Sequence, residues 1–531
     1  MQFDGWLKDT LIPFKKGLQS SNYNVVIFSA DVDRTQSYVF ESNRLPEIRG
    51  ASRQVAQLGE RNVILDHLRA ISLPEECLLF AGGGSVMALL PTIDAAKALE
   101  TRLARSFAAE TTIVTLSCDY KAIPPLNPQL SVAPIGYSQS TRFSLLGTEE
   151  KHSRDFRQIV SLMAFQLRRQ KQQKLVVPFT EILPFTQICE SCHTRPAARV
   201  VRKQQDDERG DLVCDICDRK WQEGSRDNGR GYWLNKLAEV FKSYGVETNR
   251  MNYPQDIENI IDKETDKEAV ALLYADGDGI GEKLQSLSTM DDYETFSNAL
   301  VDSTYHAVCQ TINSAGLTVQ GKCNWEIITI GGDDILILIP ASHALDFAIQ
   351  LSKNFTGQMQ KRKYSDTHMS VGFTVGKVKT PIRLLYEGAR AALKNAKRRA
   401  KEVNEACIDW HNIIKEGHPG VDGQTPRTTQ FSRSEFITGR PYSISDAAKL
   451  QASVTQIRGK GLNSLLYNIA SELRQSAARG SLYYYYQRAR LQSDRRKPLE
   501  DIEANWNKSS FPWISRENDQ YTIFLDILDL L

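Results

Sequence analysis

Two glycine pairs, each enclosed by apolar runs and each preceded about fifty residues earlier by an Asp-x-Asp triplet, require this chain to contain one folding unit twice. Asp31-Val32-Asp33 lies 51 positions before Gly82, and Asp276-Gly277-Asp278 lies 55 positions before Gly331. Behind the glycines the match continues. Gly82-Gly83-Gly84-Ser85 runs into Ala88-Leu89-Leu90-Pro91 and a helical stretch through Ala95, Ala98, Leu99 and Phe107. Gly331-Gly332-Asp333-Asp334 runs into Leu338-Ile339-Pro340 and then Ala344, Phe347, Leu351 and Phe355. Apolar runs on either side of a glycine turn predict a β-hairpin. A strand, one or two helices, a hairpin and another helix form the ferredoxin-like α+β unit, in which helices cover one face of an antiparallel sheet. Two such domains are expected, and only the second carries carboxylates on its turn.

With 531 residues, 41% hydrophobic and 24% charged, the chain is long enough for several cores. The expected division is a first, non-catalytic ferredoxin-like domain at 1–185, a zinc-ribbon and helical insert at 186–268, the second domain at 269–416 and a C-terminal helical domain at 435–531. A loop rich in Gly, Pro, Thr and Ser from Gly417 to about Ser434 reads as a linker. No apolar run approaches the roughly 18 residues that would cross a membrane, and the N-terminus has neither a basic nor an apolar leader. The expected location is the cytoplasm, with no membrane partner. A formal net charge of +2 excludes global attraction to nucleic acid, so any RNA contact must come from local patches or partner subunits.

Nine cysteines in such a chain do not read as a disulfide framework. Cys189-x2-Cys192 and Cys214-x2-Cys217, with 21 residues between the pairs, have the spacing of two knuckles that supply four thiolates to one Zn²⁺. The segment from Thr186 to about Gly231 is poor in apolar residues, so zinc–thiolate bonds could substitute for a core and metal removal is expected to unfold it locally. His193 could replace a cysteine, though four thiolates make that unnecessary. Cys77, Cys118, Cys309, Cys323 and Cys407 read as buried small hydrophobes.

The chemistry is expected at the second hairpin. Asp276 ends one strand, and Asp333 and Asp334 sit at the tip of the hairpin whose strand should lie beside it. Carboxylates so placed repel by about 4 kcal/mol for a pair 4 Å apart at an effective dielectric near 20, a penalty that a divalent ion removes. Mg²⁺ or Mn²⁺ takes such oxygen ligands. Asp276 and Asp333 are the preferred bridging ligands. Asp334 either ligates or supports, and Asp278 is a further candidate. Two ions held there activate an attacking hydroxyl and neutralise a transferring phosphoryl group. Gly277, Gly279 and Gly281, like Gly331 and Gly332, leave backbone N–H groups uncovered for phosphate. The alternative is that Gly-Gly-Asp-Asp is only a good turn. From Leu384 to Lys401 a helix is expected with Ala389, Ala392, Leu393, Ala396 and Ala400 on its apolar face. Arg390, Lys394, Lys397 and Lys401 form a basic stripe that either binds triphosphate, through Lys397 first, or is a solvated face.

Together these motifs resemble the large polymerase/cyclase subunit of type III CRISPR effector complexes, whose active palm domain is related to that of GGDEF diguanylate cyclases. Asp31-Val32-Asp33, Gln36 and Arg49-Gly50-Ala51-Ser52 look like that family's first palm. The four cysteines look like its zinc insert, and Asp276-Gly277-Asp278 with Gly331-Gly332-Asp333-Asp334 like its active palm. Ala396-Lys397 matches its phosphate-binding lysine position. The resemblance implies a nucleotidyltransferase that makes cyclic oligoadenylate from ATP between the palms, switched on by target RNA paired to guide RNA. It further implies other effector subunits as partners, including a small helical one docked on the C-terminal helices. Family members with a His-Asp nuclease domain cut single-stranded DNA. Here about 24 residues precede the first strand and none of the eight histidines is followed by Asp, so no DNase activity is expected.

Two other functions remain open on the residues alone: a non-catalytic nucleotide-binding scaffold, and a GTP-using cyclase, since no residue can be assigned to reading the base. Tyr483 to Tyr486 with Arg488 and Arg490 either stack on RNA or pack helices. Arg199, Arg202 and Lys203 either touch RNA or solvate the ribbon.

Overall fold

The structure is a computed structural model that describes residues 4–15, 25–123, 156–173, 185–201, 210–225, 231–261, 268–287, 289–416, 430–432, 435–506, 511–517 and 519–531. The chain forms two compact units, one of Met1–Arg230 with Gly279–Asp302, the other of Gly231–Asp278 with Ser303–Leu531. Residues 186–225 thus lie in the first unit and 231–261 in the second.

In the first unit a four-stranded antiparallel sheet has the order Leu78–Gly82, Ser85–Leu90, Val25–Val32, Leu116–Ile123. This is the ferredoxin-like order. Val25–Val32 is central and buried from Val25 to Ala30, which is why it opens on a continuous apolar run rather than an alternating one. Leu65 and Leu68 of helix Arg61–Arg69, Leu99 and Leu103 of helix Ile93–Thr111, and Met163 of helix Phe156–Gln173 close the core over the sheet. Thr92 caps the 93–111 helix, its hydroxyl accepting from the Ala95 N–H.

The second unit repeats the pattern. Its sheet runs Glu326–Gly331, Asp334–Pro340, Ala269–Gly277, Met369–Lys377, and is extended by Cys407–Asn412 and the two-residue strand Tyr442–Ser443. Only the 369–377 and 407–412 pair is parallel. Helix Ala344–Lys361 follows the hairpin. Helix Ile382–Val403 buries Ala389, Ala392, Leu393, Ala396 and Ala400, the apolar face expected from the sequence. Duplication extends to an irregularity: each hairpin has a register shift at the residue three before its first paired glycine, Leu79 in one copy and Ile328 in the other.

C-terminal to the second palm-like sheet, helices Ile444–Ile457, Asn463–Gln475, Ala477–Arg490, Ser493–Trp506 and Phe524–Leu530 match the expected helical region. They are joined by a small sheet of Gln430–Ser432, Glu435–Phe436, Asp519–Tyr521 and Ile514–Arg516. Strands of two or three residues are too short to show alternation, which is why the sequence did not announce them. The linker expected at 417–434 falls mostly outside the described residues. No described helix is long and apolar enough to cross a membrane.

Candidate active site

The second hairpin turns in two residues. Gly331 pairs with Asp334, leaving Gly332 and Asp333 as the loop, and Gly332 has φ of +70°. A positive φ at the first loop position alone marks the type II′ turn, whose twist matches that of the strands and which favours glycine there. In the first copy both loop residues, Gly83 and Gly84, have positive φ, at +60° and +86°. The second turn thereby presents a carboxylate where the first presents none.

Asp276 is the next-to-last residue of the central strand. Ala275 pairs with Ile335, so the following rung sets Asp276 against Asp334, and on its other side Asp276 pairs with Ser370. Asp276 is near enough to Asp333 and Asp334 for its charge to raise both carboxyls. Lys397 Nζ reaches down from the 382–403 helix to donate to the Asp276 carboxylate, and to the Gly277 carbonyl oxygen at 2.8 Å. Asp278 accepts from the Ser370 hydroxyl at 2.8 Å through one oxygen, while its Oδ1 is buried and has no partner among the described residues.

Charge is the unusual quantity here. Burial, reinforced by the neighbouring Asp276 charge, pushes Asp333 up to about 8 and holds Asp334 well above the ordinary carboxylate range. Burial also lifts Asp278 to about 6. Because the folded state binds these protons more tightly than the unfolded chain, the associated stability is present below about pH 4 and is lost as the pH rises through about 8. Metal-free protein should therefore show a melting temperature that falls from pH 5 to pH 8. Asp333→Asn should flatten the slope, and a wild-type profile no steeper than that of the variant would contradict the charge assignment.

The first copy shows what neutralises such a site. Lys171 Nζ donates to Asp31 at 2.5 Å and to the Val32 carbonyl at 2.9 Å, as Lys397 does to Asp276 and Gly277. Ser117 pairs across from Asp31 as Ser370 does from Asp276, and its hydroxyl donates to Asp33 at 2.8 Å as Ser370 donates to Asp278. At the hairpin, however, Ser85 donates to Asp31 at 3.1 Å, where the second copy sets Asp334 beside Asp276. One acid with a lysine and a hydroxyl is balanced, whereas three carboxylates around one lysine are not. This all-oxygen donor set, together with the unpartnered buried oxygen of Asp278, fits a hard divalent cation.

Of the other expected residues, Arg390, Lys394 and Lys401 are exposed on the 382–403 helix, while Lys397, half-buried on the same stripe, bonds to Asp276. Gly279, with φ of +67°, caps the short helix Ile280–Ser286, and Gly281 lies in its first turn. Sequence reasoning did not single out Ser370, Ser117 or Lys171, which a residue-by-residue alignment of the two copies would have revealed. Tyr484 is fully buried against Phe511 and Phe524, and Tyr485 donates to the Phe511 carbonyl, so the middle of the tyrosine run packs helices. Arg202 and Lys203 lie outside the described residues.

A second candidate site lies within the first unit. The sulfurs of Cys189, Cys192, Cys214 and Cys217 all lie within 4.8 Å of one another and all four residues are buried. Among the described residues the palm acids form no comparably compact cluster. Cys192 and Cys214 Sγ are 4.0 Å apart, too far for a disulfide near 2.05 Å. That spacing is close to the edge of about 3.8 Å that a ZnS₄ tetrahedron with bonds of about 2.3 Å would have. The donor set therefore fits zinc. The remaining five cysteines are buried, and burial pushes the Cys77, Cys323 and Cys407 thiols up to about 12, leaving them protonated.

Residues 269–406 match the family model for the second palm domain of Cas10/Cmr2. No curated protein matches the chain. Among solved structures, the chain is similar to Csm1 in T. onnurineus, with a TM-score of 0.52 and 13% identity over 97% of this chain and 71% of that one. It is also similar to a Csm1-Csm4 cassette in complex with AMPPNP, at a TM-score of 0.52 and 12% identity over 96% of this chain and 69% of the other. A Csm1-Csm4 cassette in complex with cA4 gives 0.52 and 12% over 95% and 69%. In the apo cassette the match covers 63% of the solved chain, so the present chain spans about two thirds of the structures it resembles. At such identity the likeness is one of fold.

Proposed function

From the Cas10/Cmr2 second palm domain at residues 269–406 we infer that this chain is a Cas10-like subunit of a type III CRISPR effector complex and makes cyclic oligoadenylate from ATP. The observation that carries the reading is the unbalanced acid cluster of the second copy, set against the neutralised equivalent in the first. Similar folds have been solved as Csm1-Csm4 cassettes in complex with AMPPNP, cA3 and cA4, which supports adenine nucleotides as the substrate class and other effector subunits as partners.

Asp276, Asp333 and Asp334 would hold Mg²⁺ or Mn²⁺. When bound, the ions supply Lewis acidity toward an attacking ribose hydroxyl and a pyrophosphate leaving group. Lys397 neutralises Asp276 in the free protein and is placed to exchange that partner for a triphosphate oxygen. Ser370 keeps Asp278 oriented through its hydroxyl. The first copy, whose Asp31 is already satisfied by Lys171 and Ser85, would serve the acceptor nucleotide rather than the metals. Cys189, Cys192, Cys214 and Cys217 would hold a structural zinc.

The deciding experiment is a labelled-ATP assay with Mg²⁺ or Mn²⁺ in the presence of partner subunits and guide-matched RNA, with GTP as competitor. Cyclic adenylate products are expected, and a GTP-derived product would replace the substrate assignment. Lys397→Ala should raise the KM for ATP by about 10- to 100-fold, the worth of one hydrogen bond to a charged group. An unchanged KM would remove the lysine from the nucleotide site.

A further inference from the structure

The thiolate cluster is bound to the first palm-like domain by a buried ion network rather than being a separately folded ribbon. Arg195, in the loop after the first cysteine knuckle, donates from Nε to Cys214 Sγ at 3.3 Å and from its terminal nitrogen to Cys217 Sγ at 3.8 Å. Nη1 and Nη2 of the same guanidinium fork onto Glu41, at 2.5 Å and 2.7 Å, with Nη2 shared between Glu41 and Cys217. Glu41 belongs to the turn between helices Thr35–Val39 and Leu45–Leu58 of the palm-like domain. Lys220, on the cysteine-bearing helix Asp215–Ser225, bonds the same carboxylate at 2.9 Å and the Tyr38 carbonyl at 2.7 Å, with its ammonium 3.9 Å from the Tyr38 ring centroid. The Lys220 side chain is fully buried.

The charges explain the arrangement. Zinc with four thiolates carries two net negative charges, which is costly in a buried place unless donors face the sulfurs. Arg195 supplies such donors, and a bidentate carboxylate holds it in the orientation that reaches Cys214 and Cys217. Glu41 in turn sits between two buried cations, so losing it would leave both unpaired. A Glu41 that only closed a palm turn would not need to share its two oxygens between a thiolate-facing arginine and a lysine on the cysteine helix.

We propose that Glu41, a residue of the first palm-like domain, is a positioning residue for the zinc site, acting through Arg195, so that metal retention is coupled to the local order of the 35–58 segment rather than to the stability of the domain as a whole. The proposal rests on the zinc reading above. Metal removal then does not unfold residues 186–225 alone but loosens the 35–58 segment as well.

The test follows zinc in the full-length protein with a colorimetric chelator at 25 °C. Purified protein must first contain about one zinc per chain, and none would sink the zinc reading itself. Glu41→Gln and Arg195→Gln should each release zinc about 10- to 100-fold faster than wild type, the usual effect of losing a partner of a metal ligand. Leu65→Ala, in the core of the same domain but outside the network, should lower the melting temperature while leaving the release rate within twofold. If Glu41→Gln does not fold, Glu41→Asp, which keeps the charge but shortens the fork, gives the same comparison. Release rates unchanged in the network variants, or equally accelerated in Leu65→Ala, would overturn the coupling. Chelation of wild type should also speed hydrogen exchange at 45–58, and protection there that survives metal loss would overturn it too.

Discussion

Replacing Asp333 and Asp334 together by alanine should abolish cyclic product, with a loss of at least about 10²- to 10³-fold, the scale for removing electrostatic stabilisation of a transition state. The same change should leave the fold intact and raise the melting temperature of metal-free protein at pH 8. Burial and the charge of Asp276 push Asp333 up to about 8, and Asp334 well above its ordinary range, so at that pH the pair is held against its preference. Lys397 is then left facing Asp276 alone, the balanced arrangement that the first copy reaches with Lys171 and Asp31. A variant that loses stability, or that still makes product at the wild-type rate, would return Gly331 to Asp334 to the status of a favourable turn. The second outcome would leave a nucleotide-binding scaffold as the better reading. Asp31→Ala in the first copy is expected to cost far less activity, because that acid is already neutralised where it stands.

The largest stability effect is expected at a helix crossing. Helix Leu45–Leu58 lies against helix Asp215–Ser225 so closely that a Cβ on Gly50 would stand 1.8 Å from the Lys220 carbonyl oxygen. One on Gly224 would stand 1.7 Å from the Pro46 carbonyl oxygen. Backbone, not a movable side chain, occupies both places, so Gly50→Ala must push the helices apart. That separation would also draw Lys220 away from Tyr38 and Glu41. A loss of about 3 kcal/mol or more is expected, at the upper end for overpacking, which in a unit of this size is about 5–10 °C of melting temperature. Gly357→Ala, within helix Ala344–Lys361 and with nothing within 4 Å of the added carbon, should be neutral or slightly stabilising by comparison. Calorimetry on the two variants decides the matter, and similar melting temperatures would mean that the crossing is looser than it stands here.

Much of the candidate site's arrangement is legible in the sequence. Asp276, Asp333, Asp334 and Lys397 meet because their positions follow from strand order within one local unit, and the order of a ferredoxin-like sheet follows from its pattern of strands and helices. The cysteine cluster was legible for a similar reason, since knuckle spacing is a local property. Ser370 was not, because a lone serine in a strand acquires meaning only when its partner across the sheet is known to be Asp276 and the next acid is Asp278. Glu41, Arg195 and Lys220 carry no spacing signal at all, being separated by more than 150 residues at the widest and brought together by the Gly50–Gly224 crossing. The small sheet of 430–432, 435–436, 514–516 and 519–521 escaped for want of length.

By itself the sequence determined the duplication, the two hairpins, the acids on one of them and the four thiols, because each is written in periodicity or spacing over short stretches of chain. Tertiary structure alone decided the balance of charge: Lys397 on Asp276, Lys171 and Ser85 on Asp31, and Glu41 between Arg195 and Lys220. Whether an acid is neutralised or left in excess depends on which distant side chains share its low-dielectric surroundings, and no local pattern records that.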